Sequence, residues 1–255
     1  MINWEQFIWF GIAAVILWIT GAAISFKREK LGTIVYSAGV LIFTLFIILF
    51  WISIQRAPMR TMGETRLWYS FYVSATSLVL YIRWKYKFLL PFGAVLSTVF
   101  TIINIVKPEI HSTMLMPALQ SAWFIPHVSV YMLAYAVVAV AQIIGIASLF
   151  NKPGLITAAD NLVRVGTAFI LIGMLMGAVW AKQAWGNYWA WDSKENWAAV
   201  TWLFYISYMH IRFRMPEKKV LAITVMTLAF IALQITWYGV NYMPAAQKSM
   251  HTYTM

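Results

Sequence analysis

The stretch 185–197, WGNYWAWDSKENW, sets four tryptophans and a tyrosine among Asp192, Lys194, Glu195 and two asparagines, in a chain otherwise made of aliphatic runs. If the stretch is helical, Trp185 and Trp189 share a face; if it is extended, Trp189 and Trp191 point to one side. Either geometry makes a broad apolar wall with indole N–H donors at its rim. Such a wall suits a large flat ligand with polar edges. A porphyrin is one, with Arg56, Arg60 or Lys194 to meet its carboxylates. An aromatic belt at a bilayer surface is the plainer reading. It accounts for Trp180, Trp197 and Trp202 at the ends of apolar runs. It accounts less well for Trp185, Trp189 and Trp191, which lie in the connection itself, spaced by Gly186 and followed by Asp192.

The chain has four histidines, His111, His127, His210 and His251. Porphyrin iron takes one axial ligand on each face, and two histidines from separate helix ends satisfy it. His127 follows Pro126, whose fixed φ suits a first helical turn, so it stands at the start of a helix at membrane-surface depth. His251 lies in the C-terminal tail. Asp192 then either fixes an imidazole tautomer by hydrogen bonding or pairs with Lys194 or Lys182. His210 is a functional-site candidate, as an ionisable ring at the edge of an apolar run, or a ring reaching for the surface beside Arg212 and Arg214. His111, in PEIHST, is explained by turn chemistry and receives no role. With no cysteine, disulfides, thiolate zinc sites and iron–sulfur clusters are excluded. No nucleophile triad or acid–base pair is evident.

The elements that must position these residues are membrane helices. The chain is 62% hydrophobic and 11% charged over 255 residues, and its mean hydropathy is +0.73, outside soluble composition. Charge-free runs at 7–26, 31–55, 88–106, 128–150 and 220–242 are each long enough to cross about 30 Å of hydrocarbon. Shorter runs at 67–82, 165–181 and 196–211 cross if flanking Arg and Lys extend toward the headgroups. The expectation is an all-α, polytopic integral membrane bundle of about eight transmembrane helices. The first run follows Glu5 and no basic residue, so it reads as an uncleaved span rather than a signal peptide. Twelve of the 19 Lys and Arg fall in 27–30, 83–87, 151–164 and 212–219. That asymmetry places these loops in the cytoplasm and both termini and the tryptophan loop outside it. The net charge of +11 is therefore mostly topology signal, not a nucleic-acid footprint. With no internal repeat, 1–255 reads as one integral domain, with external segments at 107–127, 182–196 and 243–255.

Trp185, Gly186, Trp189, Trp191 and Asp192 also spell W-G-x-x-W-x-W-D, and Lys194, Glu195 and Trp197 continue it. In these residues the chain resembles the System II cytochrome c biogenesis (heme attachment) proteins of the CcsA or ResC type, within the tryptophan-rich WWD heme-handling superfamily. The resemblance covers most of the chain: RAPMRTMGETRLWYS, PALQSAWFIPHVSVYMLAY, TWLFYISYMHIR, and GVN followed by HTY. Ser193 stands where the family often has proline and Asn196 where threonine is common. The tail reads QKSMHTY, where glycine and leucine usually precede the histidine.

The resemblance implies heme b as ligand and substrate, with reduced iron, and His127 and His251 as its axial ligands at an external site. It places Trp185, Gly186, Trp189, Trp191 and Asp192 in the domain that holds the heme. His210 corresponds to a membrane histidine that receives heme on its way outward. Further implied are a partner subunit of the CcsB or ResB type, which supplies more spans and an external domain, and an apocytochrome c with a Cys-x-x-Cys-His segment. So are a place in a holocytochrome c synthase and a location in a bacterial cytoplasmic membrane with the active side outward. The alternative is a System I type heme chaperone, which shares the tryptophan signature but delivers heme without forming thioethers. A b-type electron carrier would want histidine pairs within facing spans, and only His210 lies near the interior of one.

Overall fold

Three of the helices begin where a polar side chain takes up free backbone N–H groups. The computed structural model describes residues 2–111, 117–150 and 154–244, so His251 lies outside the described residues. These residues form α1 (Trp4–Ser25), α2 (Glu29–Ile54), α3 (Met62–Trp84), α4 (Leu89–Val106), α5 (Phe124–Ser148), α6 (Leu155–Trp185), α7 (Ser193–Arg214) and α8 (Lys219–Trp237), with three short 3₁₀ turns. No strand occurs among the described residues. The chain is thus an all-helical, multi-span membrane protein. Helices α1, α2, α4, α5, α6 and α8 are long and apolar enough to cross a bilayer by length and composition. The short runs at 67–82 and 196–211 extend into helices of 23 and 22 residues, and the run at 165–181 lies inside the 31-residue α6.

Capping boxes open three helices: Asn3 with Gln6, Thr61 with Glu64, and Asp192 with Glu195. In each the cap side chain accepts from an early N–H, and the third helical side chain reaches back to the cap N–H. Large apolar side chains such as Leu41, Val95, Leu175 and Val220 face outward, as a lipid solvent allows.

The chain divides into two compact units, Met1–Gln120 and Ser121–Met255. Within the first, α1 and α2 meet backbone to backbone. A Cβ at Gly21 would lie 2.5 Å from the Tyr36 nitrogen, and one at Gly32 would lie 2.4 Å from the Ser25 nitrogen. Antiparallel to α3, α4 is tied to it by Asn104 Nδ2 donating to the Gly63 carbonyl at 3.1 Å. Ser70 and Ser97 exchange hydroxyl-to-carbonyl bonds at 3.2 and 2.8 Å. Within the second unit α5 and α6 are also antiparallel, with Gly166, Gly173 and Gly177 of α6 set against Val138, Tyr131 and His127 of α5. Gln142 Nε2 of α5 donates to Thr227 Oγ1 of α8 at 2.8 Å. At the end of α7 away from the tryptophan loop, Arg212 and Tyr208 both bond Asp160 of α6, at 3.0 and 2.6 Å.

Candidate functional site

The tryptophan loop takes its shape from the way α6 stops. Gly186 closes the helix in the left-handed region at φ +87, its N–H bonding the Lys182 carbonyl. Lys182 Nζ donates to the Gly186 carbonyl at 2.7 Å. The helical option for the loop is thereby settled: Trp185 ends α6, and Trp189 lies beyond the break. Trp189 and Trp191 meet edge to face, centroids 5.7 Å apart at 83°. Trp191 adopts φ +56 without being glycine, a conformation that costs of order 1–3 kcal/mol and persists only where surroundings enforce it. Asn196 Nδ2 helps by donating to the Trp191 carbonyl at 2.8 Å. The result is a 69% exposed indole at the rim. Trp189 Nε1 is buried and has no acceptor among the described residues.

Asp192 holds the loop to α7. Its Oδ1 accepts from the Glu195 N–H at 2.9 Å, while Glu195 Oε2 accepts from the N–H groups of Ala190 and Asp192 at 2.8 and 3.2 Å. Glu195 was missed as a site residue, although Asp-x-x-Glu before an apolar run is the sequence signal of a capping box. Lys194 occupies the first helical turn, outside the apolar run of α7. Burial pushes its ammonium down to about 8, against the pull of Asp192.

His127 lies in the first turn of α5 with Pro126. Its Nδ1–H donates to the Gly173 carbonyl at 2.8 Å, which assigns the lone pair to Nε2. Tyr131 meets the ring edge-on at 4.8 Å, and Trp180 stacks on it at 5.5 Å and 25°. Trp180 in turn touches Phe124 at 5.0 Å and Trp185 at 4.8 Å. A continuous run of rings thus joins His127 to the first tryptophan of the loop. Trp180 was assigned to an aromatic belt; it is 1% exposed and serves the interior instead. The small residues that admit this packing were also missed. A Cβ at Gly177 would lie 2.6 Å from His127 Cε1, and one at Gly173 would lie 3.2 Å from the Tyr131 ring. The signal was Gly-x-x-x-Gly at 173–177, a spacing that lets membrane helices approach closely.

His210 is not gathered with these residues. It sits 17 residues beyond Ser193 on α7, about 25 Å along the helix axis. Its exposed ring bonds the Ile206 carbonyl of its own helix at 2.9 Å. Of the cations proposed for carboxylates, Arg56 is committed to Glu64 through two bonds of 2.9 and 2.6 Å, because Glu64 is only 1% exposed and needs a counter-charge. Arg60 donates to the Gln120 carbonyl at 3.3 Å. Lys194 alone stands beside the loop, in the first turn of α7. Among the described residues no group of three or more His, Asp or Glu gathers to hold a bare metal ion.

Comparison with known proteins adds to this geometry. A family model described as Cytochrome C assembly protein matches residues 10–246. The cytochrome c biogenesis protein CcsA of Chlamydomonas reinhardtii is 26% identical over 258 residues, covering 93% of this chain and 72% of that protein. The protein of the same description from Cuscuta exaltata is 30% identical over 233 residues, 75% of each chain. That from Lactuca sativa is 28% identical over 265 residues, 80% of this chain and 81% of its own.

Proposed function

The chain belongs to the cytochrome c assembly protein family, and on that premise we propose that it is the heme-handling subunit of a cytochrome c synthase. In this reading it binds heme b at an external site between His127 and His251 and presents it to the Cys-x-x-Cys-His segment of an apocytochrome c. A role in cytochrome c biogenesis follows from the family and its relatives.

The observation that carries the finer reading is the setting of His127. A neutral imidazole whose Nδ1–H is fixed on a main-chain carbonyl presents Nε2 as the ligating atom, the usual arrangement of an iron-bound histidine. The loop and the first turn of α7 supply the rest of the donor set: a wall of indole, the Trp189 N–H with no acceptor among the described residues, and the Lys194 ammonium for a propionate. These residues fit a flat, carboxylated macrocycle.

In the reaction each acceptor thiol adds across one vinyl C=C of the heme, sulfur bonding to one carbon and the proton going to the other, so no oxidant is consumed. The chain contributes position. Holding reactants in attack geometry supplies roughly 7–11 kcal/mol, and the capping box of Asp192 and Glu195 keeps the tryptophan rims fixed while the acceptor docks. On this reading His127 and His251 would hold the heme iron, and the acceptor's own histidine would take the place of one of them. His210, exposed on α7, takes heme earlier on its outward route. A CcsB or ResB type partner supplies the remaining spans and external domain, and the assembly sits in a bacterial cytoplasmic membrane with the tryptophan loop outward, as the Lys and Arg distribution supports.

The test is an absorption spectrum of the purified protein with and without dithionite. Wild type is expected to show a low-spin reduced heme spectrum. His127→Ala and His251→Ala each weaken it, added imidazole restores it, and the double change abolishes it. Heme that survives the double change unaltered, or is absent from wild type, sinks the assignment.

A further inference from the structure

Polar groups are expensive inside a membrane, and the first unit buries more of them than its helix packing uses. Along α3 run Ser70, Ser74, Ser77 and Tyr81, and along α4 run Ser97, Thr101 and Asn104, all at 0 or 1% exposure. The spacings alternate between three and four residues, so each string holds one face of its helix and offers a polar atom at every turn. From Asn104 to Ser97 and on from Ser70 to Tyr81 the ladder covers roughly 27 Å at 1.5 Å per residue, close to the ~30 Å of the hydrocarbon layer.

Close packing explains part of this ladder. Ser70 and Ser97 bridge the helices, Asn104 Nδ2 reaches Gly63, and Thr101 and Ser74 bond carbonyls of their own helices. It does not explain Tyr36 Oη, Ser77 Oγ, Asn104 Oδ1 and His111 Nε2, which are buried with no hydrogen-bond partner among the described residues. Tyr36 and Ser77 converge on one point. A Cβ at Gly93 would lie 2.5 Å from the tyrosine oxygen and 2.6 Å from the serine oxygen, so the glycine keeps a small polar niche open there. Polar atoms so placed call for a guest that can donate and accept at once, which is the chemistry of water and of a travelling proton.

Both ends of the ladder meet titratable groups. At the end that the Lys and Arg distribution places outside the cytoplasm, His111 stacks on Trp4 at 3.8 Å and 3° and bonds the Asn104 main chain, with Glu109, Glu64 and Arg66 facing it. At the other end Lys85 lies 5.4 Å from the centre of the Tyr81 ring and pairs with Glu29 at 2.7 Å.

We propose that the α3–α4 seam, with Tyr36 of α2, is a proton relay across the membrane-spanning depth of the first unit, with His111 as its outer proton-exchanging group. It uses none of the residues proposed to hold heme. His111, unassigned by turn chemistry alone, becomes the group that accepts protons at the outer end of the seam. Burial holds its imidazole below the ordinary histidine range.

The full chain, reconstituted in liposomes loaded with a pH-reporting dye and clamped with potassium and valinomycin, reads the relay directly. Wild type is expected to relax an imposed pH step at least tenfold faster than protein-free liposomes. A Tyr36→Phe/Ser77→Ala double variant and a His111→Phe variant, which keeps the stack on Trp4, are expected to return to the protein-free rate. Helical circular dichroism and the His127-dependent heme spectrum check that the variants fold. Should the double variant not fold, each single change gives the same reading at no less than a halving of the rate. A wild-type rate equal to that of bare liposomes, or folded variants that conduct like wild type, overturns the relay. Neither result touches the heme reading.

Discussion

His111 in the first unit and His127 in the second are held in nearly the same way and turned in opposite directions. Each has a tryptophan on its face, Trp4 or Trp180. Each has a glycine at its back, Gly63 or Gly177, and each bonds a main chain, that of Asn104 or Gly173. The glycine backs the Cδ2 edge of His111 but the Cε1 and Nδ1 edge of His127. In the first unit Nε2 is therefore enclosed, whereas in the second the enclosed edge is the one that already has its carbonyl. The difference teaches that the stacked ring and the small residue only hold an imidazole. What differs between the two is the edge of the ring that the cradle holds.

The sharpest way to separate the two cradles is to remove the anchor of one. Glu64→Ala leaves the Arg56 guanidinium beside an empty position and strips the cap of α3. Breaking a buried ion pair in this way costs about 3–5 kcal/mol, read as a lower midpoint in denaturant or heat. The His127-dependent heme spectrum should persist in the protein that remains folded. If that spectrum disappears at temperatures where helicity is intact, the two histidines are not independent and the comparison fails.

Next in size is a matched pair of glycine changes. Gly177→Ala and Gly63→Ala each place a methyl group 2.6 Å from an imidazole carbon, and overpacking of this kind costs about 1–3 kcal/mol. Only at Gly177 does the displaced ring ligate heme in the proposed function. Heme titration of Gly177→Ala should thus show affinity down about tenfold or more, while Gly63→Ala lowers stability and leaves the titration unchanged. Equal effects on heme would mean that the orientation of the rings does not matter.

The sequence showed these elements unevenly. Long charge-free runs announce five spans because the hydrocarbon tolerates little else, and the orientation rests on the Lys and Arg count. Helices α3 and α7 looked too short because Glu64, Arg66, Lys194 and Glu195 were counted as loop, whereas they form the capped first turns. The tryptophan loop was visible from composition, and Asp192 was singled out, but as a partner for an imidazole rather than as the cap its Asp-x-x-Glu spacing signalled. The bond from His127 to Gly173 has no sequence signal, since its acceptor is a main-chain carbonyl that every residue carries. Likewise nothing near PEIHST foretells that Trp4, more than a hundred positions earlier, covers His111. Such contacts exist only once helices have packed.

The smallest expected effect sharpens the second cradle alone. Lys194 sits in the first turn of α7 beside the loop, with its ammonium pushed down to about 8 by burial and drawn back by Asp192. A propionate binds the protonated amine, so binding favours proton uptake and raises the amine's pKa toward its ordinary value. Heme affinity should then be full below pH 8 and decline as the pH rises through 8 toward 10, where the free protein has lost the charge that the carboxylate needs. The charge-assisted bond at stake is worth about 1.5 kcal/mol at this partly exposed position, roughly tenfold in affinity. Lys194→Met should bind at the reduced affinity across the whole range, and Lys194→Arg should keep the higher affinity past pH 9. Heme dimethyl ester, which lacks the carboxylates, should bind wild type without the decline. A slope common to heme, its ester and Lys194→Met would place the titration on another group and leave His127 and the tryptophan wall to hold the macrocycle without this amine.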